Sequence, residues 1–181
     1  MHPVRRRCEK MKIEILPHPS GLRVSRSKIR RFLRWLIPHL DPKPDRPDWA
    51  SLTLALHNDA EMRACHHASF GSEETTDVIS FLYAPLPGET NGAHAEIFVN
   101  VDEARRQGVR RRRSSPVREL ALYIAHGCHH LTGADDNTPA RRKAMVDTER
   151  RWVRRAERNG ILQGMMAETE DDRQKAERNA E

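Results

Sequence analysis

The stretch HGCHHLTGADD, residues 126–136, decides how this chain is read. His126 and His130 stand four residues apart, Gly133 follows, and Asp135 and Asp136 close the run. At ~100° per residue, a helix places His126 and His130 about 40° apart on one face, so both rings can reach one metal ion. Gly133 suits a helix end. The turn after it can bring the chain back, so either Asp135 or Asp136 is sterically reasonable as a third ligand. Three protein ligands leave one coordination position open, which is the arrangement of catalytic rather than structural sites.

The helix that carries the two histidines can be delimited. Ser115 is a suitable N-cap, Pro116 fits the first helical position, and Gly133 stops the run. Val117, Leu120, Ala121, Ile124, Cys128 and Leu131 fall on one stripe, and His126 and His130 lie roughly opposite. Leu122 and Tyr123 flank the histidines, so the helix is apolar nearly all round. Such a helix is expected to be central and covered on both sides. Cys128 lies on the packed stripe and reads as a small buried apolar residue.

Outward from this helix, four short segments read as strands: MKIEIL (11–16), SLTLAL (51–56), DVISFLY (77–83) and AEIFVNV (95–101). Residues 25–37 place Ile29, Phe32, Leu33 and Leu36 on one helical face, and Pro38 stops it. Asn58 or Asp59 caps a helix through about Cys65, a short helix follows Asp102, and a long one runs over 138–159. Residues 1–9 are basic and expected to be flexible. From Gly164 onward the chain is polar, so 163–181 is expected to be a disordered tail. What remains, residues 10–162, is one α+β domain.

The chain has 181 residues and a net charge of +6, with 32 Lys plus Arg against 26 Asp plus Glu. That excess is mostly arginine and favours a polyanionic partner such as nucleic acid. Arg110, Arg111, Arg112 and Arg113 cluster just before the histidine helix and are candidate RNA contacts. Arg26, Arg30, Arg31 and Arg34 on the first helix, and Arg150, Arg151, Arg154 and Arg155 on the last, read as solvated faces or ion pairs. Trp35 and Trp152 read as packing residues. Three cysteines without a CxxC pair argue against a disulfide framework and point to a reducing cytoplasm. The N-terminal stretch lacks the apolar run of a signal peptide, and no segment approaches the ~20 apolar residues of a membrane span.

The motif resembles the H-G-x-x-H-L-x-G-x-D-H signature of the YbeY-type rRNA maturation endoribonucleases. It matches at His126, Gly127, His130, Leu131, Gly133 and Asp135, and departs at the last position, which is Asp136. TTDVISF (75–81) is similar to the family's T-N-V-L-S-F at Thr76, Val78, Ser80 and Phe81. A strand with Glu96, Ile97 and Val99, and a C-terminal helix with Met145 and Glu149, also fit. The resemblance implies a zincin-like α+β fold, a small mixed four-stranded sheet flanked by helices with the metal-site helix central. It further implies a metal ion, usually zinc, held by three histidines. The implied activity is cleavage of single-stranded RNA in rRNA maturation and ribosome quality control, with rRNA or a ribosomal subunit as partner.

Carried over residue by residue, His126 and His130 are two ligands and Asp136 stands in the place of the third. Aspartate is a competent zinc ligand at ~2.0–2.2 Å. It lowers the net charge at the ion by one unit relative to imidazole, which makes a bound water less acidic. A hard oxygen ligand also shifts preference toward manganese or iron. Asp135 competes for the position, although its place in the motif suggests a turn role or a hydrogen bond behind the ligands. His129 points to another side and reads as a neighbour facing solvent or RNA. A second departure is Phe70, where the family commonly has an arginine that would hold a phosphate; nearby His66 and His67 could compensate.

Three functions follow from these residues. The first is a metal-dependent endoribonuclease, in which an activated water or the RNA's own 2′-hydroxyl attacks a phosphate. The second, a zinc peptidase, needs a general-base Glu after the first histidine, and Gly127 stands there. The third is a non-catalytic RNA-binding ribosome-assembly factor that retains the fold.

Overall fold

A computed structural model describes residues 11–18, 23–85, 87–88, 92–111 and 114–167. The chain runs β1 (Lys12–Ile15), α1 (Arg26–Leu36), a 3-10 turn (Ile37–His39), β2 (Trp49–His57), α2 (Asp59–Phe70), β3 (Val78–Tyr83), β4 (Ala93–Asn100), α3 (Val101–Arg110), α4 (Pro116–Leu131) and α5 (Pro139–Arg158). The four strands form one mixed sheet in the order β1-β2-β4-β3. β1 and β4 each lie parallel to β2, and β3 is antiparallel to β4. This is the α+β arrangement expected from the strand and helix patterns.

Helix boundaries follow their capping chemistry. Asn58 forms a capping box with Glu61, and α2 then runs to Phe70, five residues beyond the expected end at Cys65, until Gly71 closes it. Asn100 accepts from the Glu103 N–H, so α3 starts at Val101, ahead of the predicted Asp102. Ser115 and Thr138 cap α4 and α5 by accepting from Arg118 and Arg141 N–H groups. Pro38 sits inside the 3-10 turn, two residues past the end of α1.

The period-2 alternation of the strands sorts their residues onto two faces. Leu52, Leu54 and Leu56 pair in register with Ala95, Ile97 and Val99, and all six are buried on the face toward α4. Gly127 of α4 lies against this face: a Cβ there would sit 2.9 Å from Ile97 Cγ2 and 3.0 Å from Val78 Cγ2. Glycine therefore sets how closely the histidine helix approaches the sheet. α2 covers the other face, where Phe70 stacks on Phe81. The helix α4 is buried at Leu120, Ala121, Ile124, Ala125, Cys128 and Leu131, with α3 and α5 packed alongside, as its apolar circumference predicts.

The C-terminal boundary differs from the expectation. Met165 and Met166 are buried, and Met166 bridges Val24. The Arg31 guanidinium donates to the carbonyls of Gly160, Ile161 and Gln163 at 3.1, 2.7 and 3.1 Å. Helical periodicity puts this arginine on a solvated face; in the fold it caps the turn after α5 and draws 163–167 inward. Two methionines next to that anchor have a core to enter, which composition alone does not reveal. The remainder of the expected tail and the expected N-terminal arm, residues 1–9, lie outside the described residues. No helix among the described residues is long and apolar enough to cross a membrane.

Candidate metal centre

His126, His130 and Asp136 each present one ligand atom, and these atoms lie within 4.8 Å of one another. The helix supplies the two histidines one turn apart. The rest depends on the turn: Thr132 ends α4, Gly133 takes a φ of +89°, and the chain folds back so that Ala134 and Asp136 approach His130. A left-handed residue at this point is what glycine tolerates without a steric cost.

The hydrogen bonds fix which nitrogen of each ring faces inward. His126 Nδ1 lies 3.0 Å from Glu149 Oε1, and His130 Nδ1 lies 3.2 Å from the Ala134 carbonyl oxygen. Both partners are acceptors, so each Nδ1 carries its proton and donates. The two Nε2 atoms then face each other at 3.1 Å. Two bare lone pairs at that distance repel, so a positive charge belongs with them, either one proton or a cation. Two zinc–nitrogen bonds of ~2.0–2.1 Å at a tetrahedral angle separate the nitrogens by about 3.3 Å, so the pair fits a zinc-sized ion.

Glu149 of α5 organises the centre, and in the sequence it stands out only as part of a family pattern. The residue is 3% exposed, and Oε1 also accepts from His129 Nδ1 at 3.0 Å. Burial pushes the Glu149 carboxyl up, but hydrogen bonds and charge from His126 and His129 outweigh it and hold it below the usual range. Burial likewise pulls His126 down, while Glu149, Asp77 and Asp136 outweigh that and leave its pKa raised. Burial and the neighbouring His126 together lower His130. His129 therefore differs from its sequence reading. It is tied to Glu149 and packs edge-on against Trp152 at 4.9 Å, rather than facing open solvent. A buried Glu one helix away has no local sequence signal; only the crossing of α5 over α4 brings it to both rings.

The two aspartates separate cleanly. Asp135 is held by Arg141 at 2.9 and 3.1 Å and lies 4.0 Å from Lys43, on the outside of the turn. Asp136 faces the histidines and receives Arg142 at 3.4 Å. A cavity of about 540 Å³ opens at the site, lined in part by Thr75, Thr76 and Asp77 from the loop before β3. Asn100, fully buried, donates to Asp59, Thr75 and the Thr76 carbonyl and so anchors this wall. Among the described charged residues of the lining, Asp77, Glu103, Glu119, Asp136 and Glu149 outnumber Arg111, Arg142 and Arg150.

The remaining candidates are spread differently. Arg110 is exposed at the end of α3, and Arg111 lines the cavity while pairing with buried Glu119 at 2.7 Å. Arg112 and Arg113 lie outside the described residues. Phe70 is 60% exposed and stacks on Phe81, so it offers an aromatic face and no cation. His66 binds the Glu74 carbonyl oxygen and His67 pairs with Glu73, so both are committed to the loop they border. Cys128 is fully buried, and burial pushes its thiol up to about 12, which leaves it inert as expected of a core residue.

The fold and this centre define a protein of the histidine-helix, mixed-sheet class. Comparison with known proteins gives the family. The family profile described as Endoribonuclease YbeY matches residues 18–157, and the chain belongs to that family. The protein named Endoribonuclease YbeY from Anaeromyxobacter dehalogenans is 31% identical over 163 residues, which cover 85% of this chain and 79% of that one. The protein of the same name from a Picosynechococcus species is 34% identical over 122 residues, 64% of this chain and 74% of that one. The solution structure of TM1509 from Thermotoga maritima aligns over 93% of this chain and 95% of that one with a TM-score of 0.51. At 17% identity, that likeness speaks to the fold alone.

Proposed function

We propose that this chain is a metal-dependent endoribonuclease that cuts single-stranded RNA in ribosomal RNA maturation in the cytoplasm. In this reading, one divalent ion, zinc or alternatively manganese, is held by His126, His130 and Asp136. The observation that carries the reading is the convergence of these three ligand atoms within 4.8 Å of one another in a chain of the YbeY family. When bound, such an ion supplies Lewis acidity toward a phosphoryl oxygen. The protein's own groups do the rest. Glu149 and the Ala134 carbonyl hold the two Nδ1 protons and keep both Nε2 lone pairs inward. Arg142 steadies Asp136, and Asp135 acts on the turn through Arg141 rather than as a ligand.

Arg110, Arg111, Arg112 and Arg113 are the proposed RNA contacts, and Arg111 lies on the cavity wall. A peptidase is disfavoured because Gly127, which must be small to pack on Ile97, occupies the place of the general-base Glu. Phe70, with no cation to offer a phosphate, favours a second reading as a non-catalytic RNA-binding assembly factor. The test is metal content by elemental mass spectrometry on the parent and on Asp136→Ala, followed by cleavage of a fluorogenic single-stranded RNA. One equivalent in the parent, far less in the variant, and cleavage only by the parent are expected. A metal-replete parent that binds but never cuts RNA would transfer the assignment to the assembly factor.

A further inference from the structure

Among the described residues, the cavity at the metal centre is lined by more carboxylates than guanidiniums. A second concentration of positive charge among the described residues lies on α5. A second cleft of about 730 Å³ between α4 and α5 is lined by Arg118, Arg151, Trp152, Arg154, Arg155 and Arg158, with Glu157 as its one carboxylate among the described residues. We propose that this cleft binds the sugar–phosphate backbone of single-stranded RNA and anchors the strand whose neighbouring segment enters the metal centre. The proposal rests on the endoribonuclease reading and adds to it the surface that holds the substrate.

Three observations carry it. First, Arg151, Arg154, Arg155 and Arg158 follow an i, i+3, i+4, i+7 pattern and share one helical stripe, and all four are exposed. Like charges at these spacings destabilise a helix. The helix dipole accounts for cations in the last turn, Arg155 and Arg158, but not for the two before them. Second, few of these cations are engaged by carboxylates. Arg118 lies 3.8 Å from Glu157, and Arg151 donates to Thr148. Arg154, Arg155 and Arg158 make no ion pair with any described residue. Guanidiniums without a carboxylate partner fork onto phosphates and stack on unpaired bases, and so suit single-stranded RNA.

Third, the cleft adjoins the metal centre. Trp152 packs on His129, whose Nδ1 shares Glu149 Oε1 with His126. Arg150, one residue before the stripe, lines the metal cavity itself. From Arg150 to Arg158 the helix rises ~12 Å, so a strand lying along α5 passes from one cleft to the other within a few nucleotides.

The experiment measures binding of a fluorescein-labelled oligouridylate to the zinc-loaded protein by anisotropy across a salt series. It compares the parent, the triple variant R154Q/R155Q/R158Q, and a control, R23Q/R26Q/K28Q, that removes the same charge around the start of α1. The cleft variant should bind at least about tenfold more weakly. Its log–log salt slope should be shallower by about 2, because each phosphate left unneutralised takes ~0.7 from the slope. Its KM for RNA cleavage should rise with kcat held. Its melting temperature should stay or increase, because like-charge repulsion is relieved. A parent that binds RNA and a cleft variant with unchanged affinity and slope would overturn the cleft alone. Equal weakening in the control would assign the effect to net charge and overturn it too. Retained RNA binding with abolished binding to polyglutamate would give the cleft to an acidic protein. A parent that does not bind RNA at all would remove the endoribonuclease reading and this proposal with it.

Discussion

Replacing Glu149 with glutamine isolates what a buried carboxylate contributes to a pair of histidines. The side chain is 4% exposed, so solvent does not screen it, and one oxygen accepts from both His126 and His129 at 3.0 Å. Glutamine keeps the shape and an acceptor oxygen but removes the charge. A hydrogen bond to an ionised group contributes about 1.5–3 kcal/mol against about 1 kcal/mol for a neutral one, so the bond to His126 weakens by roughly 0.5–2 kcal/mol. That bond sets the orientation and basicity of Nε2, and changing such a partner lowers metal affinity by about 10–100-fold. The assay is competition with a chromophoric zinc chelator at pH 8, above the imidazole range. The accompanying fall in the His126 pKa eases proton competition and opposes this loss, and it counts least at high pH. The metal-free proteins should melt within a few degrees of each other. An unchanged zinc affinity in a folded Glu149→Gln protein would refute the claim that this carboxylate tunes His126.

Other perturbations test the frame around the centre. Gly127→Ala puts a methyl 2.9 Å from Ile97 Cγ2 and 3.0 Å from Val78 Cγ2, and both neighbours are stiff β-branched residues. Urea unfolding should show a loss of about 1–3 kcal/mol; a variant as stable as the parent would mean the helix is free to stand off the sheet. Asp136→His should retain or tighten zinc binding in the same chelator assay, and loss of zinc would mean the pocket is shaped for a carboxylate. The hydrogen bond from Arg106 holds Asp59 below its ordinary value of 3.8 despite burial. Its stabilisation is therefore complete above that value and is lost as pH falls through the lower, folded one. Asp59→Asn should melt below the parent at neutral pH, and the gap should close on acidification below about pH 4; a gap independent of pH would point to packing instead.

Much of this molecule is legible in local pattern, because alternation, helical periodicity and capping residues act over a few positions. Ser115, Asn58 and Thr138 mark helix starts that the backbone adopts, and the four segments read as strands, two by alternation and two by β-branched and aromatic content, form the sheet. The spacing of His126 and His130 places them on one face by helix geometry alone. What local pattern could not supply depends on elements meeting across the chain. Of the two adjacent aspartates, the path of the turn after Gly133 turns Asp136 inward and leaves Asp135 to Arg141. Arg31 has the periodicity of a surface residue, yet the turn after α5 arrives beneath it and draws Met165 and Met166 inside. The role of Glu149, 23 residues from His126, exists only because α5 packs across α4. A hydrogen bond between two distant side chains is a property of how helices cross, and no periodicity within either helix records it.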